Sequence, residues 1–475
     1  MNQPIRINFV MPPSIKISGG PLAILEYANR FAARGHTVTV TTFPNSWWDG
    51  DDPYPWFRLD CKVHYLNDRD LPKPAKDPLL RDRPFGWLAT DSRLWAGLID
   101  SMPECDVNIA THWLTTFPVF FSNKGKPVYF MQHYEELFFS MEADTMLQRL
   151  CARMSYGLPL YKVANSSWLK KLMLERFGQD VPFCNNGLII DDFNPRPKLS
   201  EKDGVIRVVT YTGSQQWKGF ADAVAAMKIV YERYAAKVEW HVFGSLHETL
   251  TERNGFASYV FHPNLSFREL AALYATSDIA LCPSWYESFP LPPLEAMASG
   301  TAAITTEYGT EDYAIHEKNA LVVRSRDAKG MAEAVCRLIE DADLRAQLAV
   351  EGRKTAEGLN WDVAVEKREK ILLDIVNETH GYDILRSAAV GLREESGAVF
   401  EEAPSDVPDM TGLYWDRGAL CLMHNRSRHH INSSDLAPEL LDRGFPYIQP
   451  TVLDIERTPM GRPYSVISDL PPGCA

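Results

Sequence analysis

The sequence predicts an α/β protein of two tandem domains, each with a parallel sheet and flanking helices, which face each other across a cleft. Three observations lead to this class. Strand-like and helix-like segments alternate through residues 1–195, the alternation restarts within 196–377, and it is absent from 378–475. Strands that alternate with helices form parallel sheets through right-handed crossovers. We therefore predict two sheet domains with these bounds and a C-terminal extension of unknown role.

The elements of the first domain follow from short apolar runs separated by turn residues. In the helix predicted at 21–35, Pro21 suits the first helical position and Gly35 suits the end. One face of this helix is predicted to contain Leu22, Leu25, Asn29 and Ala32. Strands are predicted at 5–10, 37–42, 107–110 and 128–131.

The second domain follows a polar, proline-bearing stretch at 195–204, which we interpret as an interdomain linker. Its strands are predicted at 205–213, 238–244, 279–284 and 302–306. Its helices are predicted at 220–234, 267–277, 293–299, 327–340 and 343–356, with one more helical pattern at 362–376.

The composition is that of a globular protein and argues against several classes. Of 475 residues, 45% are hydrophobic and 23% are charged, and the net charge of −13 argues against broad capture of nucleic acid. There is no run of eighteen apolar residues that predicts a transmembrane helix, and the chain starts with a strand rather than a signal peptide. Eight scattered cysteines without a Cys-x-x-Cys pair indicate reduced thiols and a cytoplasmic location.

The segment 282–300 (CPSWYESFPLPPLEAMASG) is the most informative about chemistry. A strand ends at Cys282 and a helix is predicted to begin near Pro292, which places Glu287 in the loop and Glu295 in the first helical turn. The free amides of a helix N-terminus attract phosphate. Carboxylates beside a diphosphate would repel it, so we expect both glutamates to face hydroxyl groups instead.

Three amides of this loop, those of Ser288, Phe289 and Leu291, can donate to a phosphate, whereas the neighbouring prolines cannot. The spacing of the two glutamates leaves two interpretations open. In one, Glu295 holds ribose hydroxyls and Glu287 those of a sugar beyond the phosphates. In the other, Glu295 is only a favourable first-turn charge and Glu287 a solvated loop residue.

The surrounding residues carry a family resemblance. The run 286–312 (YESFPLPPLEAMASGTAAITTEYGTED) closely resembles the donor-site signature of the retaining glycosyltransferases of family 4, with its two glutamates separated by seven residues. Ordered matches extend over about residues 5–377. They include NSSWLKKL at 165–172, NNGLIIDDFNP at 185–195, YTGSQQWKG at 211–219 and EKNALVV at 317–323. The sequences of these motifs are most similar to those of bacterial enzymes of rhamnan and O-antigen-type polysaccharide synthesis.

This resemblance implies a GT-B architecture, in which two Rossmann-like domains face a cleft. It implies a nucleotide-diphosphate-sugar donor bound mainly to the second domain and a glycan or lipid-linked glycan acceptor bound mainly to the first. It also implies transfer with retention, without a metal or other cofactor. The segment 137–163 mixes apolar and basic residues, so it is either a peripheral membrane contact at the inner face or an ordinary domain helix.

The resemblance further implies roles for single residues. Glu295 would hold the ribose, Glu287 would contact the donor sugar near the reacting carbon, and Lys218 would neutralise the departing β-phosphate. The amides of Ser288, Phe289 and Leu291 would hold phosphate or sugar, beside the glycine at Gly213. The alternative for Lys218 is a surface cation beside a turn.

Two first-domain features complete the candidate site. His133 matches the histidine that faces the donor sugar, with Gln132 as the alternative register and a structural histidine as the other interpretation. Gly20, with Gly19, either lets the backbone approach the diphosphate or acceptor, or forms a plain strand-to-helix turn.

The sequence departs from the family pattern after Gly213, where an arginine is usual and residues 214–217 read SQQW. One cation of the phosphate clamp is therefore missing. This departure keeps two other classes open: a GT-B enzyme of another reaction type, and a degenerate carbohydrate-binding scaffold.

Three further features have simple interpretations beside functional ones. The aromatic residues of 45–57 could form an acceptor platform or a packed loop. We interpret Asp49 and Asp51 as part of a polar turn rather than a metal site. His429 and His430 lack the ligand spacing of a metal centre.

Overall fold

The structure is a computed structural model with two parallel sheets and a small antiparallel one. It describes residues 3–12, 14, 19–43, 52–66, 92–139, 146–213, 215–244, 258–263, 265–378, 412–416, 419–424 and 427–430.

The first sheet has six parallel strands in the order β3-β2-β1-β4-β5-β6. The strands are β1 (Arg6–Val10), β2 (Thr37–Thr42), β3 (Lys62–Tyr65), β4 (Val107–Ala110), β5 (Lys126–Met131) and β6 (Tyr161–Ala164). The helices are α1 (Gly19–Ala33), α2 (Ser92–Ser101), α3 (Trp113–Ser122), α4 (Met146–Gly157) and α5 (Ser167–Phe177), with a 3-10 turn at Glu135–Phe138. Every residue of β4 and β6 is buried, as expected for a parallel sheet that is covered on both faces.

The second sheet repeats this topology, with the order β12-β11-β10-β7-β8-β9 and parallel pairing throughout. Its strands are β7 (Ile206–Thr212), β8 (Val238–Gly244), β9 (Val260–His262), β10 (Ile279–Leu281), β11 (Ala302–Thr306) and β12 (Leu321–Val323). Its helices are α6 (Ser200–Asp203), α7 (Phe220–Tyr234), α8 (Phe267–Thr276), α9 (Leu291–Ala298), α10 (Ala328–Glu340), α11 (Ala342–Gly358) and α12 (Trp361–Asn377). In each sheet the strand order reverses between the first and fourth strands of the domain, which is where such folds bind ligands.

The last helix of the second domain, α12, packs against the core of the first domain. Trp361 and Leu372 of α12 belong to the same buried cluster as Phe9 and Phe31. Glu369 anchors the helix through Arg34, with 2.6 Å between Oε2 and Nη2. The sequence-based bounds assign this helix to the second domain (196–377), but in the structure the chain returns to the first sheet here.

Most predicted elements are confirmed, and the α/β class with two parallel sheets is confirmed with them. The helix after β1 differs: it begins at Gly19, so Pro21 is its third residue. Its buried face is centred on Tyr27 and Phe31, while Asn29 and Ala32 are half-buried, because the helix packs between sheet and α12.

The C-terminal extension contains three antiparallel strands, which the sequence analysis did not predict. They are β13 (Gly412–Asp416), β14 (Ala419–His424) and β15 (Ser427–His430). His429 and His430 lie on β15.

Candidate functional site

The candidate site lies at the carboxyl ends of β7 and β10, the two strands on either side of the reversal point of the second sheet. Lys218 ends the short 3-10 turn that follows β7, and Glu287 lies in the loop that follows β10. Their side chains form an ion pair with 2.6 Å between Nζ and Oε1. The fold therefore joins two residues that are 69 positions apart in the sequence.

Two glycines allow the loops of the site to approach each other. Gly219, next to Lys218, has φ +69°, and a Cβ there would lie 1.9 Å from the carbonyl oxygen of Pro283. Gly309 has φ +88°, and a Cβ there would lie 2.0 Å from the carbonyl oxygen of Glu287. Only glycine combines this conformation with such close contact. Both glycines thus hold the loops that carry the ion pair.

The ion pair keeps both of its members charged. Burial acts to raise the pKa of Glu287, but Lys218 and then His133 act against it, and the net pKa lies below the ordinary value. For Lys218, burial acts to lower the pKa, but the Glu287 carboxylate outweighs it and the net pKa is raised. The site therefore holds a carboxylate and an ammonium group at neutral pH.

His133 contributes to the site from the first domain, directly after β5. Its Nε2 lies 4.0 Å from Oε2 of Glu287, and its Nδ1 lies 3.2 Å from the carbonyl oxygen of Tyr134. Burial lowers the pKa of His133 to about 4, so the ring is neutral. We assign the proton to Nδ1, which donates to the carbonyl, and this leaves Nε2 as an acceptor that faces Glu287. Gln132, the alternative register, is instead directed to Asn186, with 3.4 Å between its Oε1 and Nδ2 of that residue.

The amides of Ser288, Phe289 and Leu291 precede and begin helix α9. Within the described part of the chain, none of these three amides has a hydrogen-bond acceptor. Free amides at a helix start form a cradle for an anion. The side chains have other tasks: Phe289 is buried against Tyr313, and the Ser288 hydroxyl contacts Asn165 and Ser166 of the first domain.

The helix begins at Leu291, next to Pro292 as predicted, and Glu295 is its fifth residue. Its placement in the first helical turn is therefore wrong, and so is its interpretation as a first-turn charge. The side chain lines a pocket between the domains that is partly open to solvent and bounded mainly by apolar side chains such as Leu188, Phe267 and Trp361. Burial raises the pKa of Glu295 to about 7.

A second cavity of about 330 Å³, partly open to solvent, lies on the other side of the start of α9. Glu287 lines it together with Ser284, Thr306 and Tyr308, and four prolines make the rest of its lining mainly apolar. Two cavities, one lined by the Glu287 carboxylate and the other by the Glu295 carboxyl group, therefore flank the amide cradle.

The glycines predicted for the site occupy two different places. Gly19, at the start of α1, is so close to α9 that a Cβ there would lie 3.5 Å from Cδ1 of Leu291, while a Cβ on Gly20 would contact nothing within 4 Å. The N-termini of two helices therefore meet across the cleft. Gly213 follows β7, and a Cβ there would lie 3.0 Å from Cγ of Lys218, so the glycine leaves room for that side chain.

Sequence reasoning missed an aromatic stack that closes the cleft beside His133. Trp217 lies between Phe138 of the first domain and Tyr286, with ring centroids 5.7 and 6.1 Å apart. His133 packs on Phe138 at 4.8 Å. Two of these rings stand next to Lys218 and Glu287 in the motifs, and this adjacency was the available signal.

The aromatic segment 45–57 is described only from residue 52. Tyr54 is buried, and Nε1 of Trp56 donates to the carbonyl oxygen of Ser14 at 2.6 Å, so this part is a packed loop. Asp49, Asp51 and Ser214 lie outside the described residues.

These features define a class: two Rossmann-like domains in the GT-B architecture, with the candidate site at the cleft between them. Comparison with known proteins agrees. Residues 206–341 match the family model of Glycosyl transferases group 1, and this range contains Lys218, Glu287 and Glu295.

Curated relatives resemble parts of the chain. O-antigen biosynthesis protein RfbC of Myxococcus xanthus is 26% identical over 278 residues, which is 58% of this chain and 21% of the relative. D-inositol 3-phosphate glycosyltransferase of Salinispora tropica is 34% identical over 119 residues, which is 25% of this chain and 24% of the relative. The chain therefore spans a quarter or less of the length of these relatives.

Solved structures share the fold of both domains. Sucrose-phosphate synthase from Thermosynechococcus elongatus has a TM-score of 0.63 at 16% identity, covering 78% of this chain and 98% of that one. HepE from Anabaena, solved with UDP and glucose, has a TM-score of 0.60 at 17% identity, covering 78% and 99%. Both comparisons support the GT-B architecture expected from the sequence.

Proposed function

We propose that the protein is a glycosyltransferase that moves a sugar from a nucleotide-diphosphate-sugar to an acceptor hydroxyl. One observation carries this proposal: the Lys218–Glu287 ion pair and the free amides at the start of α9 lie between two cavities, one lined by Glu287 and the other by Glu295. Such an arrangement suits a ligand with a sugar at one end, a diphosphate in the middle and a nucleoside at the other. The match of residues 206–341 to group 1 glycosyltransferases supports the same conclusion.

In this proposal the diphosphate lies against the amides of Ser288, Phe289 and Leu291, opposite the start of α1 at Gly20. Lys218 exchanges its partner Glu287 for the departing β-phosphate, whose charge grows in the transition state. A fixed cation at that place lowers the barrier because it interacts more strongly with the transition state than with the ground state.

The two glutamates and His133 then bind hydroxyl groups. Glu287, released by Lys218, accepts from the donor sugar near the reacting carbon, and the acceptor atom Nε2 of His133 faces the same space. Glu295 accepts from the ribose at the edge of the apolar cavity, which receives the base. UDP and UDP-glucose bound to HepE from Anabaena support a donor of this class.

We also propose retention at the reacting carbon and independence from metal ions, both of which rest on the resemblance to family 4. No protein nucleophile is assigned, so the leaving phosphate accepts the proton of the acceptor hydroxyl while that hydroxyl attacks from the same face. The bond to the acceptor oxygen forms as the bond to the phosphate oxygen breaks.

The acceptor is proposed to be a glycan or lipid-linked glycan of polysaccharide synthesis, a process named for the RfbC relative. The scattered cysteines support a cytoplasmic location. Helix α4 exposes Leu150 and Met154 one turn apart, and these side chains support a peripheral contact with the inner face of a membrane. None of the helices in the described ranges is both long and apolar enough to span a bilayer.

The test begins with thermal shifts for a panel of nucleotide-sugars, because a ligand that binds the folded form raises its stability. The ligand that binds is then offered with glycan acceptors, and the anomeric configuration of the product is read by NMR. Glu295→Gln should weaken donor binding by about tenfold or more, since a charge-assisted hydrogen bond is lost. Glu232→Gln, an exposed site on α7, is the matched control.

Each outcome separates the remaining classes. Product with inverted configuration would refute retention, and a nucleotide that binds without any transfer would favour a binding protein. A changed donor sugar in the absence of acceptor would indicate another GT-B reaction. Equal donor affinity in Glu295→Gln and the control would refute the ribose assignment.

A further inference from the structure

A hydrogen-bonded network joins the two domains beside the candidate site. Asp312, in the loop after β11, directs its carboxylate across the cleft. Its Oδ2 accepts from the amide of Ser167 at 2.9 Å and from Nδ2 of Asn185 at 2.7 Å. Both donors belong to the first-domain side, and no described cation pairs with Asp312. Its hydrogen-bond partners therefore depend on the relative position of the two domains.

The location of these donors makes the contact favourable. Ser167 is the first residue of helix α5, and Ser166 caps that helix by accepting from the amide of Leu169. The cap leaves the Ser167 amide free, and a carboxylate at a helix N-terminus is stabilised by the helix dipole. Asp312 of one domain thus completes the cap of a helix in the other.

A second contact lies next to the first and is closed to water. The hydroxyl of Ser288 donates to Oδ1 of Asn165 and lies 3.0 Å from the hydroxyl of Ser166. The exposed fractions of Ser288, Asn165 and Ser166 are 1%, 3% and 1%. Because the amide of Ser288 belongs to the cradle, the same residue that would hold a phosphate also holds the first domain.

The network continues to His133. Nδ2 of Asn165 donates to the carbonyl oxygen of Gln132 at 3.0 Å, and Nδ2 of Asn185 donates to the carbonyl oxygen of Asn165 at 3.2 Å. Gln132 immediately precedes His133. A chain of hydrogen bonds therefore links the position of His133 opposite Glu287 to the contact of Asp312 with the start of helix α5.

We propose that Asp312 is an interdomain latch and a positioning residue, which holds the cleft closed so that His133 of one domain faces Glu287 of the other. Asp312 is only half-buried, so water replaces its partners when the domains separate. The latch can therefore open and close. A site that admits a donor and releases a nucleotide needs such reversibility. The chemical role of His133 and Glu287 rests on the proposed function. Closure of the cleft, in contrast, is measured without turnover.

The test compares Asp312→Ala with Asp312→Asn and with Asp374→Ala, an exposed aspartate of α12 that serves as the control. Hydrogen exchange is measured in the peptide that contains Ser167, and the radius of gyration by X-ray scattering. Asp312→Ala should speed exchange at Ser167 by about tenfold or more, since the amide loses its acceptor. It should also enlarge the radius of gyration, while Asp312→Asn, which keeps one acceptor oxygen, should lie between.

Kinetics separate positioning from binding or misfolding. Asp312→Ala should lower kcat by about 10–100-fold and weaken the binding of UDP by a clearly smaller factor, because Lys218, the amide cradle and Glu295 all belong to the second domain whereas His133 belongs to the first. If Asp312→Ala fails to fold, Asn185→Asp in the first domain provides a second variant. It places a carboxylate opposite that of Asp312, and their repulsion should open the cleft in the same way.

Exchange and scattering equal to the control in both variants would overturn the latch. A parallel loss of UDP affinity and kcat would assign Asp312 to the donor site instead and would also overturn it. If the wild type transfers no sugar to any acceptor, the proposed function fails, but exchange and scattering still decide on the latch.

Discussion

Replacing Lys218 by methionine gives the sharpest test of the site, because the Lys218–Glu287 pair is nearly enclosed. The side chains of Lys218 and Glu287 are only 19% and 13% exposed. Removing one partner of a buried ion pair leaves an uncompensated charge and costs about 3–5 kcal/mol. We expect about 3 kcal/mol in the free energy of unfolding, the lower end of this range, since both groups retain some contact with water.

The contribution of Glu287 to the free energy of unfolding should depend on pH with the opposite sign in this variant. In the wild type the pKa of Glu287 is lowered, so its contribution to stability is present above the unfolded pKa and is lost as pH falls through the folded value. In Lys218→Met the main lowering cause is gone and burial raises the pKa. The carboxyl group is then preferred neutral in the folded state, so stability falls as pH rises above about 4.3, the unfolded pKa.

Urea unfolding from pH 4 to 8 measures both effects. The double variant Lys218→Met with Glu287→Gln replaces both charges by neutral groups of similar shape, and its stability should return to within about 1 kcal/mol of the wild type. Additive losses in the double variant, or a loss in Lys218→Met that grows toward acid pH, would refute the reasoning.

Three other variants test neighbouring features. Gly219→Ala should lower the free energy of unfolding in urea by more than about 2 kcal/mol, because its Cβ meets Pro283. The control Gly204→Ala, at φ +72° but in open space, should lower it by only about 1–2 kcal/mol. Equal losses in the two variants would contradict the contact with Pro283. Calorimetry should show UDP affinity rising more steeply between pH 6 and 8 in the wild type than in Glu295→Gln, because Glu295, with a pKa of about 7, ionises in this range. An equal rise in both would contradict this. Tyr156→Phe removes the hydroxyl that donates to the His133 carbonyl at 3.1 Å, so we expect a loss of about 1–3 kcal/mol and a lower kcat, and unchanged kinetics would remove Tyr156 from the support of His133.

The sequence was sufficient for the four central strands of each sheet, because they are short apolar runs with clear boundaries. The edge strands β3, β6, β9 and β12 were not predicted. The sequence was also less sufficient for the place of Glu295 in α9. Pro292 and Pro293 are good first-turn residues, and this preference assigned Glu295 to the first turn. In the structure Leu291 is the first helical residue, with the prolines at the second and third positions, where their missing amides have no helical partner either. Glu295 is therefore in the second turn of α9, and its side chain lines the apolar cavity.

Apart from the family resemblance, which implied that His133 and Glu287 face the same donor sugar, contacts between the domains were beyond sequence reasoning. The motifs placed Lys218 and Glu287 on loops at the same sheet edge, so their proximity followed from topology alone. The approach of His133 to Glu287, and of Asp312 to Ser167, depends instead on the angle between two separately folded sheets. No local pattern encodes that angle; it results from packing of surfaces that are far apart in the chain.

The return of α12 to the first sheet makes the first domain discontinuous in sequence. The chain crosses between domains twice, and the two crossings lie side by side, since the amide of Leu188 donates to the carbonyl oxygen of Leu359 at 2.8 Å. The two crossings therefore join the domains at one place. They also mean that a fragment of residues 1–195 would expose the groove in which Trp361 is seated, so a stable isolated first domain would have to be supplied with α12 as well.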